Sequence, residues 1–150
     1  MWTTPKVNWQ ATDYYNLEDW QRVRSNLEHI WSWILVNRVP TRDLIETETG
    51  KGRDELPYVH LVNNMEQNLA YLRSIFGVTF TEDVAQKTWY TRLDARYKSN
   101  PDYTDWTRWE MILKRVYESI QYIDEYIFAP VSGSCYCGSD RTLIRFSRGR

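Results

Sequence analysis

The side chains in this sequence that could do chemistry are few, and their spacing matches no common catalytic or metal-binding motif. His29 and His60 lack a cysteine or carboxylate at the spacing of a metal site. Cys135 and Cys137 could supply two thiolates, but a structural zinc site needs four ligands, and these are the two cysteines of the chain. The nucleophile elbow, the zinc-protease helix, the dinucleotide fingerprint and the EF-hand loop are absent. We therefore expect surface histidines, buried cysteines, no metal, no cofactor and no enzymatic activity.

The acidic and glycine-containing fragments also favour a structural interpretation. Asp54-Glu55 and Asp124-Glu125 are adjacent pairs, so their side chains diverge and are typical of a solvated face. Gly50-Lys51-Gly52 lacks the spacing and the Ser or Thr of a phosphate-binding loop. The stretch 41–56 is long for a connection between packed helices, and its mixed charges predict a solvated loop.

Composition limits the class of protein. The 150 residues fit one domain, and 42% hydrophobic with 26% charged residues is typical of a globular chain. The net charge of −1 argues against a general nucleic-acid binder. No apolar run is long enough for membrane insertion, and the first residues lack the apolar core of a secretion signal. Eight Trp and eleven Tyr indicate either a core of large side chains or exposed rings at an interface.

An internal repeat carries the strongest signal. Apolar residues follow each other at steps of three and four in three segments, which puts them on one face of a helix in each. Adding 42 or 86 to the numbers of the first series gives the other two. The predicted core positions are Trp20, Val23, Leu27, Ile30, Ile34, Val62, Met65, Leu69, Leu72, Phe76, Trp106, Trp109, Leu113, Val116 and Ile120.

Capping residues mark where these helices begin. Asn16 and Asp102 occupy equivalent positions and can accept from free N–H groups at a helix start. Asp19 and Asp105 then fall at the third helical position, where a carboxylate suits the helix dipole. The predicted helices cover residues 17–37, 57–76 and 102–128 and are ended by Pro40, Gly77 and Pro130.

These elements predict an all-α fold, an antiparallel three-helix bundle over residues 16–130. A further short helix is predicted over about 82–96, after a capping-box pattern that begins at Thr79. Residues 1–15 form an extended, aromatic N-terminal arm, and residues 131–150 form a C-terminal β-like arm with the pattern of a hairpin.

Both arms are predicted to need something to pack against. Rings such as Trp2 and Trp9 would not stay free in water, so the N-terminal arm should lie on the bundle or on a partner. An isolated hairpin is marginal in water, so the C-terminal arm needs the bundle or a partner too. The candidate partner-binding residues are Arg141, Leu143, Ile144, Arg145, Phe146, Trp2 and Trp9.

The opening of the chain resembles that of small tail-associated proteins of phages and prophages of Gram-positive bacteria. The resemblance rests on the fragments Pro5-Lys6-Val7-Asn8-Trp9, Asp13-Tyr14-Tyr15-Asn16, Asp19-Trp20-Gln21-Arg22-Val23 and Asn26-Leu27, with further likeness in Asn63-Asn64-Met65-Glu66 and Asp102-Tyr103-Thr104-Asp105-Trp106. It implies a virion component at the tail tip, baseplate or fibre-attachment region, made in the cytoplasm of the bacterial host, with other tail proteins as partners.

Three functions remain open at this stage. The leading hypothesis is a structural adaptor of the phage tail, with a head–tail connector or an assembly factor as related roles. A carbohydrate-binding module would use exposed rings on a cell-surface glycan, and Trp31 and Trp33 cannot both face the core. A nucleic-acid contact could involve the tail alone, because residues 139–150 carry four arginines and one aspartate.

Overall fold

The computed structural model describes residues 1–48, 59–77, 86–89 and 101–127, and this part of the chain is mostly helical. It contains three α-helices, α1 (Leu17–Asn37), α2 (Val59–Phe76) and α3 (Tyr103–Tyr122), and α3 continues into a π-helical turn, Ile123–Ile127. No strand occurs among the described residues. The all-α prediction is confirmed for the described residues. The predicted β-like arm, 131–150, lies outside the described residues.

The helix starts confirm the predicted caps. The side chain of Asn16 accepts from the Asp19 N–H, and the Asp19 carboxylate accepts from the Asn16 N–H, both at 3.0 Å. Asp102 and Asp105 form the same reciprocal capping box at the start of α3. At the end of α2, Gly77 has a φ of +57°, a left-handed conformation in which its N–H donates to the Arg73 carbonyl.

Helices α1 and α3 lie side by side and run in the same direction. Near their starts, the Arg22 Nε donates to Glu110 Oε1 at 3.0 Å. Eleven residues further along α1, the Trp33 indole N–H donates to Asp124 at 3.1 Å, and Asp124 lies fourteen residues beyond Glu110. Contacts further toward the end of α1 are thus made with residues further toward the end of α3, as expected for parallel helices.

Helix α2 has the same direction. Its Glu66 accepts from Arg108 near the start of α3, and its Tyr71 packs on Trp31 in the second half of α1, with ring centroids 5.5 Å apart. The predicted antiparallel order is therefore wrong. Parallel neighbours need long connections, and the linkers span residues 38–58 and 77–102, long enough to return to the starting end.

Extended segments run back along the helices before each helix begins. We call these the leading segments: residues 2–9 before α1, 41–48 before α2 and 86–89 before α3. The second shows the path, because Thr41 bonds to Tyr71, Ile45 to Asn68 and Glu46 to Asn64, toward the start of α2. Residues 41–48 form the expected loop, and four of the eight are exposed, but this loop packs along α2; residues 49–56 lie outside the described residues.

The third leading segment corrects the predicted helix over 82–96. Residues 86–89 are not helical. The N–H of Lys87 donates to Glu66 and the N–H of Trp89 donates to Asn63, both on α2. These backbone donors therefore bind side chains of α2 instead of carbonyl groups within a helix of their own. The rest of 82–96 lies outside the described residues.

The predicted core positions line the interior between the helices. Fourteen of the fifteen are buried, with exposed fractions of 0–4%, and Phe76 is half-buried beside Arg38. All eight tryptophans are described, and six of them are buried and two half-buried. The tryptophans therefore build the core, the first of the two interpretations of the composition, whereas none of the described tyrosines is buried. No described helix is both long and apolar enough to cross a bilayer.

Candidate functional site

Two buried asparagines hold leading segments against their helices by the same pair of hydrogen bonds. The Asn26 amide donates to the Thr3 carbonyl at 2.7 Å and accepts from the Thr3 N–H at 2.8 Å. The Asn68 amide donates to the Ile45 carbonyl at 2.8 Å and accepts from the Ile45 N–H at 3.1 Å. A primary amide offers one donor and one acceptor side by side, which matches the N–H and C=O of one extended residue.

This pair of hydrogen bonds follows the sequence repeat. Asn68 is 42 residues after Asn26, and Ile45 is 42 residues after Thr3. Both asparagine side chains are fully buried, so these backbone groups supply hydrogen bonds that the amides cannot obtain from water. The first two repeats thus consist of an extended segment and a helix joined in the same way.

Two buried glutamates repeat in a similar manner. Glu110 on α3 accepts from Arg22 of α1 and, at 2.9 Å, from the Lys6 N–H of the first leading segment. Glu66 on α2 accepts from Arg108 of α3 at 2.8 Å and from the Lys87 N–H of the third leading segment at 3.3 Å. Each carboxylate therefore joins two helices and one leading segment.

The arginine–glutamate pairs follow one order around the three helices, with each arginine bound to a glutamate of the neighbouring helix. Arg22 and Arg108 are 86 residues apart and equivalent in the repeat, and each bonds to a glutamate on the neighbouring helix. The corresponding positions at the remaining junction are Asn64 on α2 and Arg24 on α1. There the Asn64 amide donates to the Glu46 carbonyl at 2.7 Å, so the second leading segment is again the element that is held.

The charges in this network are paired and largely removed from water. Burial raises the pKa of the Glu110 carboxyl, and the hydrogen bond and charge of Arg22 oppose that rise. Burial lowers the pKa of the Arg22 and Arg108 guanidinium groups, but Glu110 with Asp19 and Glu66 with Asp105 more than offset this, and both pKa values lie above the usual one. A desolvated ion pair of this kind is strongly destabilising to break from one side.

The remaining acceptor capacity of Glu66 is also occupied. Its Oε1 accepts from the Trp109 indole N–H at 2.8 Å, and the Trp89 indole N–H lies 3.5 Å away. Beside it, the Lys87 ammonium pairs with Asp105 at 2.6 Å. The carboxylates are therefore structural acceptors, and among the described residues no group of three or more His, Cys, Asp or Glu side chains could hold a metal ion.

A surface groove of about 510 Å³ lies next to this network, between the first leading segment, Lys87 and the start of α3. Apolar side chains including Val7 and Met111 line it together with the polar Tyr103 and Thr107. Among the described residues, its basic groups are Lys87 and Arg108, both bonded to carboxylates. The lining is mainly apolar, and no described histidine or cysteine belongs to it.

The two aromatic residues predicted to bind a partner pack instead against other residues of the same chain. Trp9 is 4% exposed and packs on Trp106, with centroids 5.7 Å apart, so its assignment to a partner surface is corrected. Trp2 is half-buried and stacks on Tyr117 at 3.9 Å. The N-terminal arm packs on the helices, one of the two arrangements expected of it. Outside the described residues are Arg141, Leu143, Ile144, Arg145, Phe146, Cys135 and Cys137.

One histidine prediction is wrong and the other is confirmed. His29 is half-buried between the rings of Trp2 and Tyr117, at centroid distances of 6.1 and 5.8 Å, because the N-terminal arm covers this face of α1. Burial lowers its pKa, and the positive amino terminus adds to the effect. His60 is exposed.

The rings proposed for glycan binding are not displayed as expected. Trp31 is buried against Tyr71, and half-buried Trp33 holds Asp124 through its indole N–H. Both are occupied by contacts within the chain, because α2 and the turn after α3 cover the sides of α1. This removes the observation on which the glycan hypothesis stood.

Sequence reasoning missed the buried polar residues Asn26, Asn68, Glu66 and Glu110. A signal for them exists, since Asn26 and Asn68 share one repeat position and Glu66 and Glu110 share another.

Comparisons of the chain with protein-family models, with curated proteins and with solved structures found no match.

Proposed function

We propose that this protein is a structural component of a phage virion, an adaptor at the tail tip, baseplate or fibre-attachment region, and not an enzyme. In this proposal its helices form a parallel three-helix bundle that serves as a rigid body. The observation that carries it is the use of the buried polar groups. Asn26, Asn68, Glu66 and Glu110 all hold backbone or partner side chains within the chain.

The opening residues that resemble phage tail proteins have connected roles, which supports the proposal. Trp9 packs in the core, Asn16 and Asp19 cap α1, Arg22 binds Glu110 and Asn26 binds Thr3. Together they close the N-terminal segment onto the helices. An N-terminal segment packed in this way suits a structural protein, which needs a rigid body.

The partners in this proposal are other tail proteins, and the protein is made in the host cytoplasm and carried in the virion. The C-terminal arm would supply the contact, with Leu143, Ile144 and Phe146 filling apolar pockets and Arg141 and Arg145 pairing with acidic groups. No cofactor, nucleic acid or membrane insertion is part of it.

A glycan-binding role is the second candidate, and the groove beside α3 favours it. Tyr103 is partly exposed there, next to the amides of Asn8 and Gln10 and the hydroxyl of Thr104. Rings with neighbouring amides and hydroxyls can bind sugars. Glycan-array binding that is lost in Tyr103→Ala and kept in Tyr14→Ala, an exposed tyrosine outside the groove, would support this role.

The adaptor role is tested by quantitative mass spectrometry of purified, nuclease-treated phage particles. We expect the chain in the particles at a fixed ratio to a tail protein. A variant with Leu143→Asp and Phe146→Asp should fold but be lost from particles, whereas Ser147→Asp should be incorporated normally. Abundant free protein in the lysate with none in the particles would overturn the virion role and favour an assembly factor.

A further inference from the structure

Exposed apolar side chains are concentrated at the end of the molecule where α1 and α3 terminate. Both groups lie at the same end because the two helices run in the same direction. The Trp33 indole, which donates to Asp124 at 3.1 Å, joins the last turns of α1 to the turn after α3. We call this surface the end face; its large hydrophobic residues are 57–86% exposed and are Leu35, Val36, Val39, Tyr122, Tyr126 and Ile127.

A groove of about 530 Å³ opens beside the end face, between α1 and α2. Val39 and Pro40 line it from the linker after α1, and Tyr71 and Ile75 line it from α2. Exposed apolar surface of this extent on a soluble protein usually marks a place where another segment or molecule packs. The end face with its groove is therefore a candidate docking surface.

The end face is acidic where α3 ends. The last turns of α1 and α3 contain no basic residue, and Asp124 and Glu125 follow α3 in the π-helical turn. The carbonyl groups at the end of a helix add partial negative charge. Two basic residues at this end lie on the side of α2, where Arg73 is in the last turn and Arg38 packs over the Phe76 ring. The surface around the end of α3 thus favours a cationic occupant.

The chain itself continues from the end face, because Ile127 is followed by residues 128–150. This segment carries four arginines and one aspartate, a side-chain charge of +3, so its sign is opposite to that of the turn. Ten extended residues span as much as about 33 Å, more than the width of two packed helices, so the segment is long enough to cross the end face. It also supplies apolar side chains, which include Val131, Leu143, Ile144 and Phe146.

We propose that residues 128–150 dock on the end face of their own chain. The apolar side chains of the segment cover the end face and its groove, and the arginines lie next to Asp124 and Glu125. Because Ile127 tethers the segment, it meets the end face at an effective concentration on the order of millimolar. The inference goes beyond the adaptor function and does not depend on it. A tail protein that binds the segment would have to take it from the end face.

A second copy of this chain is the competing occupant. Two copies would pair through a twofold axis, with the same surface of each chain in the interface. Such a pair would bring two copies of the acidic turn at Asp124 and Glu125 into one interface, and like charges in an interface are unfavourable. The segment 128–150 brings the opposite charge instead, which favours docking within one chain.

Site-specific photo-crosslinking of the purified full chain tests this inference. A photoreactive phenylalanine analogue replaces Val39 in one variant and Tyr14 in the other. Both residues are exposed, at 86% and 93%, and they lie beyond opposite ends of α1. We expect position 39 to crosslink to residues 131–150 of the same chain, as identified by mass spectrometry, and position 14 not to do so. The yield should not change on dilution, because a contact within one chain does not depend on concentration.

A charge variant tests the role of the acidic turn. Glu125→Lys should lower the crosslinking yield at position 39 about threefold, the size expected for an exposed ion pair. Glu18→Lys is the matched control, since Glu18 is also exposed but lies at the start of α1, and it should leave the yield unchanged.

The docking would be overturned if position 39 formed no crosslink to residues 131–150, or if positions 39 and 14 gave equal yields. Crosslinks between two chains, with a yield that falls on dilution, would assign the end face to a second copy instead. Equal yields in Glu125→Lys and Glu18→Lys would overturn the pairing of the arginines with the acidic turn. The assay contains no other tail protein, so the virion role is tested separately by the particle measurement.

Discussion

The buried pair of Glu66 and Arg108 predicts a large loss of stability when the arginine is removed. Glu66 is 1% exposed, and Arg108→Met would leave its charge in the core without a cation in contact. Breaking a buried ion pair from one side costs about 3–5 kcal/mol. A domain of this size has a free energy of unfolding of about 5–15 kcal/mol, so the variant should lose a large share of its stability.

The double variant Glu66→Gln/Arg108→Met should recover part of that loss. It carries no unpaired charge, and the glutamine carbonyl can still accept from the Trp109 indole N–H. The remaining cost is that of lost hydrogen bonds in the core, about 1–3 kcal/mol. The double variant is therefore expected to be more stable than the single one.

Urea unfolding followed by tryptophan fluorescence and circular dichroism measures these free energies. Arg115→Met, an exposed arginine on the same helix, is the matched control and should stay within about 0.5 kcal/mol of the parent. The reasoning is refuted if Arg108→Met also lies within about 0.5 kcal/mol of the parent, or if the double variant is no more stable than Arg108→Met.

Three further predictions follow from single residues. Asn68→Ala should cost about 1–3 kcal/mol and accelerate hydrogen exchange of the Ile45 amide, because it removes both hydrogen bonds that hold that residue. The lowered pKa of His29 means that the unfolded chain binds the proton more tightly. The free energy of unfolding should therefore fall as the pH drops below 6.5, and His29→Gln should reduce that fall. Gly77→Ala should cost about 1–2 kcal/mol through its left-handed conformation alone, since a Cβ there meets no atom within 4 Å.

Each of these predictions has a control and a contradicting result. Gln67→Ala, next to Asn68 but exposed, should leave the Ile45 exchange rate unchanged; equal rates in both variants would contradict the prediction. For His29, unfolding is compared between about pH 8 and about pH 5, and parallel curves for parent and variant would contradict the shift. For Gly77, an alanine variant as stable as the parent in thermal unfolding would contradict the conformational cost.

The sequence was sufficient to predict the helices and most of the core. The three-four spacing that begins at Trp20 is set by the geometry of one helix, and the caps Asn16 and Asp102 are local, so both are visible without knowing the neighbours. Phe76 departs from the pattern because it lies in the last turn of α2, where Arg38 and solvent share its surroundings.

The direction of the helices could not be predicted from that spacing, because a stripe of apolar residues has the same appearance in either direction. The information lies in the linkers and in polar residues. Length and mixed charges predicted a solvated loop at 41–56 but did not show that residues 41–48 return along α2. Asn26 and Asn68 have the same spacing as Thr3 and Ile45, and this is visible in the sequence. It indicates the path of the leading segments only when the hydrogen-bonded partners are known.

The parallel order of the helices underlies the rigid body of the adaptor proposal, and a distance measurement tests it most directly. Spin labels at Glu18 and Thr104, exposed and equivalent near the helix starts, are compared with labels at Glu18 and Gln121, with both native cysteines replaced by serine. Seventeen residues separate Thr104 from Gln121, about 25 Å along the helix axis. Double electron–electron resonance should give a short distance for Glu18 with Thr104 and a much longer one for Glu18 with Gln121. The reverse order would contradict the parallel arrangement and the rigid body proposed from it.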